Sequence, residues 1–166
     1  MVTKIYGDTG VDKVVDGAIT SSDLASGVGG KVLQVVNAQY GTSASSTSST
    51  YADTGLTATI TPSSASSKIL VIVHQEGLAK VTNSTGVNLK LFRNSTELLL
   101  FCHSAGQQYS TAWNIVGGSG TSYLDSPSTT SAVTYKTQFA SKNNNPTVYT
   151  QINNSISTIT LMEIAG

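Results

Sequence analysis

The sequence predicts an all-β protein: an antiparallel β-sandwich or jelly-roll-like head with a short N-terminal arm that holds at most a short helix. Three observations lead there. Lys68 to Val73 reads KILVIV, a short and mostly β-branched apolar run set between Ser/Thr-rich turns. Nine or ten such short strand signals follow one another at close spacing, with turn residues between them and no helical period of useful length. The connections are also too short for parallel crossovers, which need a dozen or more residues, so the pairing must be antiparallel.

Residues 1–30 differ from the rest and are read as the arm, leaving 31–166 as the head. The arm carries four of the nine acidic residues, Asp8, Asp12, Asp16 and Asp23. Thr20-Ser21-Ser22-Asp23 is a helix start, because such side chains can satisfy free N–H groups there, and Gly27, Gly29 and Gly30 end any helix within about two turns. Asp8, Asp12 and Asp16 share a helical spacing, but nothing gathers further ligands around them, and a solvated acidic face is the plainer reading.

After Gly30 the period becomes two. Lys31 to Ala38 is a strand, Gly41 to Thr50 a Ser/Thr loop, and Thr57 to Thr61 a short strand stopped by Pro62. Lys68 to Gly77 is the central strand. Val87 to Arg93 and Glu97 to His103 form a hairpin closed by Asn94-Ser95-Thr96. Ala112 to Val116 and Thr121 to Leu124 flank Gly117-Gly118-Ser119-Gly120, read as a turn. Val133 to Ala140 alternates, with Val133, Tyr135, Thr137 and Phe139 on one face; Val148 to Ile152 and Ser157 to Ile164 finish the sheets.

Three runs, KILVIV, Leu98 to Cys102 and Ile159 to Ile164, are apolar on both faces. A strand with one face in water should alternate, so these call for a cover on the second face. A homotrimer supplies it. Its expected interface is the last strand, with Ile159 and Leu161 on one face and Met162 and Ile164 on the other.

Composition excludes more than it selects. Only 11% of residues are charged and the formal net charge is zero, with Lys and Arg scattered singly, so there is no basic footprint for nucleic acid. No apolar run reaches membrane-spanning length, and MVTKIYGDTG lacks the apolar core of a signal peptide. The expected route is synthesis in a host cytoplasm and release by lysis. The single Cys102 has no internal disulfide partner.

No catalytic constellation emerges, and the chain is expected not to be an enzyme, with no cofactor and no metal. Cys102 and His103 are adjacent, but neighbours on a strand point to opposite faces. His74 lacks an evident partner. Glu76, Glu97 and Glu163 are isolated, and Glu163, within an apolar strand, is placed at the trimer end, where three copies would repel without a basic answer. Gly117 to Gly120 lacks the lysine and helix of a phosphate loop. Asn83, Asn94 and Asn153 open glycosylation-type triplets that arise by chance in so Asn/Ser/Thr-rich a chain. Trp113, Tyr109, Tyr123, Tyr135 and Tyr149 are candidates to line a sugar-binding patch, because aromatics stack on sugar rings; core packing is the plain reading for Trp113, and Tyr109, in a loop, is the better candidate for surface contact.

Several segments together resemble a family of small β domains in tailed bacteriophages, notably those of cyanobacteria and other aquatic hosts: DKVVDGAITSSDLAS (12–26), GKVLQVVNAQYGTS (30–43), TATITPSSASSKILVIV (57–73), LDSPSTTSAVTYKTQF (124–139) and STITLMEIAG (157–166). The last two are the most specific. The resemblance implies a trimeric virion component, usually the C-terminal part of a tail-fibre-like protein, without enzyme activity and without a residue-level site to carry over. In those relatives a long shaft precedes the module; here a short arm does. The expectation is therefore a homotrimeric short tail fibre or tail appendage. Ile5, Tyr6, Ile19 and Leu24 in the arm would dock on other virion proteins, and loops near Tyr109 would touch a host surface glycan or protein. The alternative is a capsid decoration (cement) protein that stabilises the head, and a polysaccharide-degrading spike ranks third. Nucleic acid and membrane insertion are not expected among its partners.

Overall fold

The computed structural model describes residues 32–110 and 114–166. The chain divides into two units, Met1–Lys31 and Val32–Gly166. The arm residues Ile5, Tyr6, Ile19 and Leu24, and Trp113, lie outside the described residues.

Ten strands make up the second unit: β1 (Val32–Tyr40), β2 (Ala44–Ser46), β3 (Ala52–Ile60), β4 (Lys68–Lys80), β5 (Val87–Arg93), β6 (Thr96–Ala105), β7 (Asn114–Asp125), β8 (Val133–Ser141), β9 (Val148–Thr150) and β10 (Ser157–Ile164). One 3-10 turn, Ile152–Asn154, is the only helical element among the described residues. The all-β expectation with antiparallel sheets therefore holds. The first sheet runs β1-β10-β4-β9-β2, with β7 pairing β4, and the second runs β3-β8-β5-β6. Every pairing is antiparallel. Leaving aside the three-residue β2 and β9, the strands nest: first with last (β1·β10), second with seventh (β3·β8), third with sixth (β4·β7), fourth with fifth (β5·β6).

The two sheets share a core because alternate residues of each point to the same interior. Leu56, Ile60 (β3), Val71, Val73 (β4), Leu91 (β5), Tyr135 (β8), Ile159 and Leu161 (β10) belong to one buried cluster. Leu78, Val87, Leu89, Phe139 and Val148 form a second. A polar chain is buried as well. Gln75 donates to Thr150 (2.7 Å) and Ser157 (3.0 Å) and accepts from Thr137 (2.8 Å), whose hydroxyl also meets that of Thr54 (2.6 Å). With the Gln75 amide satisfied, its burial carries little of the penalty of an orphaned polar group.

Two polar clusters flank Ile69 at one end of the core, Asp125 on β7 and Glu163 on β10. Asp125 (β7) accepts from one Arg93 nitrogen, Nη1 (β5), through both carboxylate oxygens at 3.0 and 2.8 Å, and from the Tyr135 hydroxyl at 2.6 Å, so it ties one sheet to the other. Burial, reinforced by the Asp125 carboxylate, pushes the Tyr135 phenol up from its ordinary pKa. Glu163 (β10) accepts from Gln34 Nε2 (2.6 Å) and from both the backbone N–H and the hydroxyl of Ser63 (2.7 and 2.6 Å). Burial alone would raise its pKa, but these donors outweigh burial and hold it at about 2. The expectation that Glu163 would face its copies at a trimer end is thus corrected: it is fully covered within one chain and answered by an amide, a hydroxyl and a backbone N–H.

Other expectations change too. Burial does alternate along KILVIV: Ile69, Val71 and Val73 are inside, while Leu70 is half-buried and Ile72 exposed. The run is apolar on both faces, but only one face is covered by its own chain. Leu98 to Cys102 belongs to β6, an edge strand with no fully buried residue. Gly117 to Gly120 is not a turn. β7 runs through it, paired with β4: a Cβ on Gly118 would lie 2.8 Å from the Glu76 carboxylate and one on Gly120 3.0 Å from the Val73 carbonyl, while Gly117, at φ 92°, sits at a register shift. The stretch 41–50 holds β2, which pairs β9.

Candidate functional site

The registers align four strands of the first sheet so that residues of its outer face fall into rows. Val35 pairs Met162, Met162 pairs Leu70, and Leu70 pairs Leu124. That row is apolar from one edge to the other. The next row is Asn37, Thr160, Ile72 and Ser122, in which Asn37 donates to the Thr160 hydroxyl at 2.8 Å. The third ends in His74 and Gly120. On the other side of the apolar row, Val32 pairs Ile164, with Leu33 set in a bulge. The face grades from apolar at the Ile164 end to polar at the His74 end.

Val32, Leu33, Val35, Ile72, Ile115 and Leu124, all on β1, β4 or β7, are between 41% and 55% exposed. They account for most of the large exposed apolar side chains among the described residues; Leu100, Tyr109 and Ile156 are the others. Ile115 lies apart, opposite Ala79 and nine positions along β4 from Leu70. The other five offer on the order of 400 Å² of apolar surface, within the range at which an exposed patch is often functional. Covering it gives about 10 kcal/mol of gross stabilisation at ~25 cal/mol per Å², the same order as the freedom lost on association.

The outer face of the second sheet has different chemistry. Its rows read Asp53, Gln138, Lys90, Leu100 and then Thr57, Lys136, Phe92, Glu97. Phe92 and Leu100 apart, these are polar, and they pair among themselves. Lys136 meets Asp53 at 2.9 Å, Gln138 donates to Asp53 at 2.7 Å, Lys90 meets Glu97 at 2.6 Å, and Thr59 meets Thr134 at 2.8 Å. Lys90 also lies 4.2 Å above the Tyr51 ring.

The residues singled out from the sequence separate accordingly. Ile159 and Leu161 point into the core with no exposed surface, so they cannot meet a partner chain; that half of the expected interface is corrected, because the β10 alternation places them inside. Met162 and Ile164 are half-buried on the outer face. Tyr109 is 78% exposed in the loop after β6. Tyr135 is wholly interior, while Tyr123 packs partly buried against the core. Cys102 is half-buried beside the second cluster, and His103 is exposed on the neighbouring Ser104 hydroxyl (3.1 Å). His74 does have a partner, Glu76, two residues along the same face.

The glutamates are not brought together. Glu163 pairs Ile69, seven residues along β4 from Glu76 or about 23 Å, and Glu97 is on the other sheet. Among the described residues, no group of three or more His, Cys, Asp or Glu could hold a metal ion, and no helix is long and apolar enough to cross a membrane. Sequence reasoning missed the Asp53–Lys136–Gln138 and Arg93–Asp125–Tyr135 groupings, which join residues from separate strands and carry no local signal. The chain matches no protein-family model, and no curated protein matches it.

Proposed function

We propose that the chain is a structural protein of a bacteriophage virion: a homotrimer of jelly-roll domains, serving as a short tail fibre or tail appendage. The observation that carries this reading is the apolar row Val35–Met162–Leu70–Leu124 on an otherwise complete domain. It supplies what a structural subunit needs, a self-association face. Nested pairing of first strand with last, down to fourth with fifth, supports the jelly-roll form, in which one long hairpin is rolled into two sheets. The resemblance of 124–139 and 157–166 to tail-fibre-like modules supports the phage assignment.

In this arrangement three copies bring the outer faces of their first sheets to a common axis, with Met162, Ile164 and Leu70 at the contact. The second sheets face outward, and the arm residues Ile5, Tyr6, Ile19 and Leu24 are the attachment to other virion proteins. Light scattering at micromolar concentration tests the assembly: the expected mass is three times the 17.2 kDa chain, and a single-chain mass rejects it. Imaging of virions labelled on this chain tests the place. Label confined to the tail is the expected result; label over the whole head makes it a decoration protein instead.

A further inference from the structure

The β3·β8 ladder is interrupted on the outer face of the second sheet. Asp53 pairs Gln138 and Thr57 pairs Lys136, so Thr54, Gly55 and Leu56 stand opposite Thr137 alone. The bulge is held open from below. Leu56 turns into the core, Thr54 bonds Thr137, and Gly55, at φ 91°, lies against the Tyr40 ring, where a Cβ would approach within 2.2 Å. Only glycine fits there. The result is a shallow pocket of about 120 Å³ lined by Asp53, Gly55, Leu56, Thr57 and Lys136.

The polar groups around it converge and are mutually compensated. Both Asp53 oxygens meet the Lys136 ammonium, at 2.9 and 3.0 Å, and one also takes the Gln138 amide at 2.7 Å. The Asp53 side chain is still 54% exposed, so its carboxylate keeps lone pairs toward solvent. Burial would raise its pKa; the Lys136 and Gln138 hydrogen bonds outweigh that and lower it. Thr57 donates its hydroxyl hydrogen to the Tyr135 carbonyl (3.2 Å) and so offers an acceptor to the pocket. An anion entering here meets Asp53 and a cation meets Lys136. A neutral polyol meets neither objection, because each hydroxyl can accept from the ammonium and donate to the carboxylate at once. Gly55 is half-buried and carries no side chain, so a sugar ring can approach the backbone there.

We propose that this bulge pocket binds a neutral sugar residue, holding two adjacent hydroxyls between the Asp53 carboxylate and the Lys136 ammonium. The proposal rests on the virion reading only for the source of the sugar, a glycan on a host surface; the pocket chemistry is independent of it. It also moves the host contact from the Tyr109 loop to the outward sheet.

The test uses the full chain, isotope-labelled, titrated with galactose, glucose, mannose and N-acetylglucosamine, with glucuronate as the anionic comparison. Concentrations run to about 100 mM, at which a site of millimolar affinity is saturated. The expected result is saturable shifts at the amides of Gly55, Thr57 and Lys136 with at least one neutral sugar. Asp53→Ala and Lys136→Met should each weaken binding by about tenfold or more, roughly one lost charge-assisted hydrogen bond, while Tyr109→Ala leaves it unchanged. No saturable shift with any neutral sugar, tighter binding of glucuronate, or shifts centred on Tyr109 would overturn the proposal. Light scattering on the same samples separates the two readings. Trimeric mass without sugar shifts rejects the pocket alone, and sugar shifts on a monomer reject the trimer alone.

Discussion

The two outer faces of this domain share one architecture and differ in what completes them. Each is a set of four-residue rows across antiparallel strands, set by the same alternation that fills the core. On the second sheet, the members of a row have partners within the chain: Asp53 with Lys136 and Gln138, Lys90 with Glu97, Thr59 with Thr134. On the first sheet, Val35, Met162, Leu70 and Leu124 have only one another, and dispersion between neighbours in one plane does not remove them from water. The inward alternation fixes the fold, and the outward positions are left to choose between solvation and association.

The largest effect should come from putting a charge into the apolar row. Leu70→Glu is expected to turn the proposed trimer into a folded monomer, read by light scattering, whereas Thr59→Glu on the opposite face should leave the mass unchanged. Equal behaviour of the two variants would erase the contrast. Next is the tie between the sheets. Asp125→Ala leaves Arg93 and the Tyr135 hydroxyl without their acceptor and should cost about 2–3 kcal/mol in chemical denaturation, below the fully buried case because the Arg93 side chain stays 24% exposed. A smaller effect is expected from Glu163. Its folded pKa of about 2 lies below the ordinary value of 4.5, so its stabilising contribution is complete above about pH 4.5 and is lost as pH falls toward 2. Glu163→Gln should be less stable than the parent at pH 6 and should approach it near pH 2, as followed by thermal melts. The smallest effect belongs to the polar face: Glu97→Ala should cost less than about 1 kcal/mol and leave assembly untouched, because Lys90–Glu97 is a surface pair.

Much of the fold was legible in the sequence because burial follows period two wherever residue types do. Val133 to Phe139 and the Ile159/Leu161 against Met162/Ile164 split both appear as read. Failures came where chemistry and geometry part. KILVIV gives no alternation, since its outer residues are apolar as well, and only the paired strands reveal which face is inside. Gly117 to Gly120 has turn composition, yet those glycines make space for Glu76 and His74 within a continuous strand. The candidate site divided in the same way. Met162 and Ile164 could be named from one strand, but the row needs Val35, Leu70 and Leu124 from three others. The bulge pocket joins Asp53 to Lys136 across 83 positions, through a register shift that no local pattern announces.

The position of β10 has a consequence for synthesis. It lies between β1 and β4 in the first sheet, and it is translated after every other strand. Until it emerges from the ribosome, β1 has no ladder partner and one side of β4 stays open along Lys68–His74. The sheet is therefore closed by the last of these strands to be made, by pairing residues 84 or more positions apart, which places folding in the slow millisecond-to-second regime. The apolar row also lacks Met162 until that moment, so a growing chain does not present the whole row from Val35 to Leu124 before β10 is made.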